Sequence, residues 1–108
     1  MANLIATLGG DNHFVARLNY LHEIPHLLYI VDEQAFQVVY VYHYAGRAGL
    51  SAQRIHTYMP SQFNNTVLGI PGNDDSGAMG SFMALSMIGI TPIQAKMSIS
   101  SRRRSSRR

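Results

Sequence analysis

Four of the six acidic side chains in this chain stand in two adjacent pairs, Asp32-Glu33 and Asp74-Asp75. The second pair lies in "GIPGNDDSGAMGSF", from Gly69 to Phe82. Free N–H groups and a partial positive charge make a helix N-terminus a good place for one acid. A single Ser or Asp already serves as a cap, so the second carboxylate is surplus. Two readings stand. The pair is an over-furnished helix start, or one carboxylate is held by backbone N–H groups and aimed into a cleft. Held in that way it stays ionised, as a general base or a calcium ligand must. Asp32-Glu33 has the same two readings, first-turn acids or hard oxygen ligands. Calcium takes about six to eight oxygens, so such a pair needs loop carbonyls and waters beside it.

The remaining polar residues suggest less chemistry. His22 and His26 are four apart, but Pro25 between them disrupts the helix that would align them. Tyr40, Tyr42 and Tyr44 alternate around His43, and on a helix they spread around the axis, which suits packing. Ser76 and Ser81 have no evident base partner. Neither "GDNHF" nor "GNDDSG" has the spacing of a phosphate or dinucleotide loop. With no cysteine, disulfides, zinc–thiolate sites and a thiol nucleophile are excluded.

These residues need elements to hold them. Leu4, Ile5 and Leu8 read as a helix end stopped by Gly9-Gly10. Asp11 then caps a helix with Phe14, Leu18 and Leu21 on one face, closed before Pro25. Leu27 to Val31 reads as a strand or a buried extended segment. Asp32 to Arg47 reads as a helix apolar on all sides, hence buried. Ser51 caps a helix that runs to about Tyr58 and ends at Pro60. Residues 61–72 read as a loop, and Asp75 to Ile88 as a helix with Gly89 as its left-handed stop. Small residues (Gly77, Ala78, Gly80, Ser81 and Ala84) would let that helix pack close to a neighbour.

The chain has 108 residues, enough for one domain, and only 14% of them are charged. That is low against a typical ~25%, as for a chain whose faces are covered by something else. Five of the nine basic residues are the arginines of "SISSRRRSSRR", so the body is mildly acidic despite a net charge of +3. Residues 98–108 are expected to be a disordered, solvated Ser/Arg tail, separate from a folded part at 1–97. Five arginines without aromatics would give salt-sensitive phosphate contacts at most, so a nucleic-acid partner is not expected. No apolar run reaches the ~18 residues of a membrane span. The N-terminus lacks the pattern of a signal peptide, which by default places this chain in the cytoplasm.

Taken together, "GIPGNDDSGAMGSFMALSMIGITP" resembles the signature of glycoside hydrolase family 92, calcium-dependent exo-α-mannosidases. "DEQAFQVVYVYHYAGRAGLSA" is similar to the family's N-E-P-S-[FH] element and the aromatic stretch after it. "LIATLGGDNHFVARLNYLH" is similar to the helix before it. The likeness covers about Leu4 to Pro92.

The resemblance implies a mainly α fold, a slice of the helical (α/α)₆ barrel that forms the family's catalytic domain. It implies hydrolysis of terminal α-mannosides, as on N-glycans and glycoproteins, with inversion and with calcium as cofactor. An inverting enzyme pairs a general acid with a general base ~6.5–9.5 Å apart. Carried over by position, Asp75 is the general base, with Asn73 and Asp74 in the same water-handling cluster, and Glu33 is a calcium ligand. Asp32 stands where the family has Asn, Gln34 and Ala35 replace Pro and Ser, and Ala48 replaces a Pro. The family's general acid is a Glu in an E-G-N/S-x-[WF]-like element. This sequence has no such element, and Glu23 does not match it. The expectation is a chain that is inactive alone and needs further barrel segments to complete it. Full-length family members can be secreted.

Overall fold

Glycines in the left-handed region set the joints of this chain. The computed structural model describes residues 1–25, 27–31, 33–93 and 96–98. His26 of the histidine pair, Asp32 of the acidic pair and the expected tail beyond Ser98 lie outside the described residues. α1 (Ala2–Thr7) gives way to α2 (Asp11–Glu23) through Gly9 and Gly10, at φ 89° and 97°. Side chains pay a steric penalty in that region and glycine does not. Asp11 is the first helical residue rather than the cap, which is Gly10. Phe14 and Leu18 form the buried stripe of α2, as their spacing predicts.

Leu28 to Ile30 belongs to neither helix nor strand, and Ile30 is fully buried. The expected long helix divides in two. α3 is a single turn, Glu33–Phe36, and Val38–Ala45 continues as a 3₁₀ helix. Two Val-Tyr steps and a further β-branched residue crowd this stretch, which disfavours regular α geometry. Val39, Tyr42 and Ala45 recur every three residues and are the buried ones, matching the three-residue turn of a 3₁₀ helix. Gly46, at φ 68°, ends it.

α4 spans Ala48–Gln62, longer at both ends than its sequence suggests. Ser51 is not its cap. It is a buried interior residue whose hydroxyl meets His43 Nδ1 at 3.1 Å. Pro60 sits within the last turn, where Phe63 N–H still reaches the Met59 carbonyl at 3.1 Å. α5 is Ala78–Met87, starting three residues later than expected, and Gly89 follows at φ 77°. β1 (Thr91–Ile93) and β2 (Lys96–Ser98) pair antiparallel, so Ser98 closes a strand rather than opening the tail.

Two apolar clusters hold the helices. One joins Ile30, Ala35, Val39, Tyr58, Phe63, Met79 and Phe82 under α3 and α5. The other joins Ile5, Phe14, Leu18, Tyr42 and Ala45 under α1 and α2. The 3₁₀ helix contributes to both and ties them together. The fold is mainly α, as expected for a slice of a helical domain. Val67 and Leu68 stand fully in solvent, and Met87 and Ile88 are largely exposed.

Candidate active site

The "GNDDSG" stretch forms a tight left-handed turn ahead of α5. Asp75, Ser76 and Gly77 have φ values of 44°, 61° and 94°. Two consecutive non-glycine residues in this region carry real strain, and such strain concentrates at functional sites. Asn73 braces the entry: its Oδ1 accepts the Asp75 N–H at 3.3 Å, an Asx-type turn.

The two aspartates do different things. The Asp74 carbonyl accepts the N–H groups of Ala78 at 2.7 Å and Met79 at 3.3 Å. Its carboxylate Oδ1 accepts the Gly80 N–H at 3.0 Å. One residue thus takes the first three free donors of α5, while the formal cap, Gly77, has no side chain to offer. Asp74 is half-buried, and Asp75 is exposed, its carboxylate without a hydrogen-bond partner among the described residues. The sequence suggested that Asp75 starts the helix. Asp74 caps it instead, three residues outside, because the left-handed turn loops out between them.

Two glycines let this loop sit close. The Gly69 carbonyl accepts the Asn64 N–H at 3.0 Å, folding the 64–69 loop on itself. A Cβ on Gly69 would strike the Asn64 carbonyl, and one on Gly72 would strike the Val31 backbone. Val31 is two residues before Glu33, and Gly72 is one before Asn73. The approaches to α3 and α5 therefore cross backbone to backbone. Further in, the rings of Phe36 and Phe82 stack at 4.6 Å between centroids. α3 and α5 thus pack against each other, and the segments leading to Glu33 and Asp75 touch at Val31 and Gly72.

Glu33 is exposed at the start of α3. No group of three or more acidic or histidine side chains converges among the described residues. One carboxylate against calcium's six to eight oxygens is far too few, so these residues do not by themselves make a calcium site.

A second polar cluster, not foreseen from the sequence, lies between α2, the 3₁₀ helix and α4. Arg54 Nη2 donates to Glu23 Oε1 at 2.6 Å and to Asn19 Oδ1 at 3.1 Å. The Tyr42 hydroxyl donates to the same Asn19 oxygen at 2.8 Å. His22 shares a 2.7 Å hydrogen bond with the Tyr58 hydroxyl through Nδ1, and its ring stacks on Tyr42 at 5.5 Å. Burial, then the Arg54 charge, lowers the His22 pKa to about 4, against weaker opposing effects of the Val38 backbone and Glu23. Burial raises the hydroxyls of Tyr42 and Tyr58. His22 thus has a structural partner at Nδ1, while its buried Nε2 has no hydrogen-bond partner among the described residues. The available signal was weak: Asn19, His22 and Glu23 fall at i, i+3 and i+4 on one face of α2.

Comparison with known proteins agrees with the geometry. The model of the glycosyl hydrolase family 92 catalytic domain matches residues 1–101. An uncharacterized secreted glycosidase of Arthroderma benhamiae is 58% identical over 92 residues, 85% of this chain. The chain belongs to glycosyl hydrolase family 92. It spans 12% of the length of that relative. No solved structure matches the chain. No helix among the described residues is long and apolar enough to cross a membrane.

Proposed function

We propose that this chain carries the water-activating half of an inverting exo-α-mannosidase, with Asp75 as the general base. The single observation behind this reading is the Asp75 carboxylate, exposed on a strained turn and free of partners among the described residues. A base must be within hydrogen-bond reach of its water, and an exposed carboxylate meets that condition. Asp74 and Asn73 flank it, bonded to the turn's own N–H groups. The substrate class is a terminal α-mannoside of an N-glycan or glycoprotein, and the water attacks opposite the leaving oxygen.

The chain alone does not turn substrate over. Glu23 is paired with Arg54 at 2.6 Å. The acid partner and most sugar contacts belong to the rest of the catalytic domain. Glu33 is available as one calcium oxygen, and the others would have to come from outside the described residues.

The test replaces the matched stretch of the Arthroderma benhamiae glycosidase with residues 1–92 of this chain. Mannose release from α-1,2-mannobiose is measured with the product anomer read by NMR. The expected result is release with inversion, lowered about 10²–10⁴-fold by Asp75→Asn. Unchanged release in Asp75→Asn overturns the base assignment. Turnover by the isolated chain overturns its inactivity.

A further inference from the structure

Asp74 takes three of the first N–H groups of α5, two with its carbonyl and one with its carboxylate. The three residues between it and the helix are all left-handed. A looped-out turn of this kind has no internal ladder to keep its shape. Its base is closed by Asp74, and its entry is braced by Asn73. A Cβ on Gly80 would lie 3.8 Å from Asp74 Oδ1, an ordinary contact, so the carboxylate reaches the amide without depending on glycine there.

We propose that Asp74 is a positioning residue that acts through Asp75: its carboxylate closes the left-handed turn on Gly80 and so holds Asp75 outward. The acid next to the base is therefore a hydrogen-bond acceptor, not a second base. Asparagine retains an acceptor oxygen and can replace it in this role, whereas alanine cannot. The proposal rests on the reading of Asp75 as the base.

The test is NMR on the full 108-residue chain labelled with ¹⁵N and ¹³C. In the wild type, the Gly80 amide shift follows a carboxyl titration. Asp74→Asn abolishes that titration but keeps the left-handed ¹³Cα and ¹³Cβ shifts of Asp75 and Ser76. Asp74→Ala abolishes it, moves those carbon shifts to random-coil values and speeds amide exchange over Ala78 to Ser81 about fivefold. Asp75→Asn leaves the Gly80 titration in place. The proposal is overturned if the titration survives Asp74→Asn or vanishes in Asp75→Asn. It is equally overturned by left-handed shifts that persist in Asp74→Ala, or by a random-coil Gly80 amide in the wild type. Failure of the base reading is separate: it shows as full release by Asp75→Asn in the grafted enzyme and leaves the Gly80 titration where it is.

Discussion

Between α2 and α4 each charge has a partner, whereas at the start of α5 one acid is bonded and its neighbour faces solvent. Arg54 holds Glu23 and Asn19, and His22 is buried against two tyrosines. In that cluster burial and the Arg54 charge lower the His22 pKa to about 4. Perturbed groups are often functional, but ion-pair networks perturb them as well. The acid turn has the opposite signature, a strained backbone and an exposed carboxylate without a hydrogen-bond partner among the described residues. Strain without internal use points to function more directly than a displaced pKa that packing already explains.

The largest expected effect tests how the acid turn is anchored. Phe82 is buried and stacks on Phe36, with Tyr40 and Phe63 also against its ring. Phe82→Ala should cost about 3–5 kcal/mol in urea denaturation. The loss should fall on the α3–α5 side, leaving the backbone amides of α2 protected from exchange. Simultaneous loss of protection in α2 would show that the two clusters are not separate units.

Gly72→Ala attacks the same side without removing any contact. The added Cβ meets Val31 backbone, which has no flexible end to yield, so the two approaches must part. An overpacked site of this kind should cost about 1–3 kcal/mol. The grafted enzyme should lose mannose release beyond what the lower stability explains, because the Glu33 and Asp75 segments separate. Wild-type stability in Gly72→Ala would mean that the two approaches do not press on each other at Gly72 and Val31.

Much of this was legible beforehand. The apolar spacing of Phe14 and Leu18 marked α2, and Gly46 and Gly89 marked helix ends, because each depends on local chemistry. Asp75 was named as the base only through the family resemblance, and the carboxylate expected to be held by backbone N–H groups is that of Asp74. Three successive residues with φ above zero are a joint property of the turn and of the Asp74 bond to Gly80, six residues away, and no single residue announces it. The 3₁₀ continuation from Val38 to Ala45 was read as one buried helix, since continuous apolarity hides the difference between periods of three and 3.6. Gly72 was read as a turn residue, while its reason lies across the fold at Val31. The Arg54 network needed three elements to meet, and sequence spacing sees only one at a time.

The α2–α4 cluster should be the pH-sensitive one. The folded pKa of His22, about 4, lies below its ordinary 6.5, so between these values the unfolded chain binds more protons. Stability is therefore full above pH 6.5, falls as the pH drops from 6.5 to 4, and levels off below. The loss should be about 1–2 kcal/mol once solvent screening of a half-buried ring is allowed for. His22→Gln should flatten that part of the denaturation profile. An unchanged slope in His22→Gln would move the sensitivity to the carboxylates and remove this contrast between the clusters.

The smallest effect separates strain from function at the turn itself. Ser76 sits at φ 61°, a conformation that costs a side chain about 1–2 kcal/mol and glycine nothing. Glycine loses back about 0.5–1 kcal/mol of that through the greater freedom of the unfolded chain. Ser76→Gly should therefore raise stability by about 0.5 kcal/mol in urea denaturation. If the strain serves to hold Asp75 outward, the same change in the grafted enzyme should lower mannose release severalfold while α5 stays protected from exchange. A more stable protein with undiminished release would mean that the turn's backbone is strained for reasons of packing alone. The left-handed turn would then resemble the Arg54 network, a perturbed feature explained by packing.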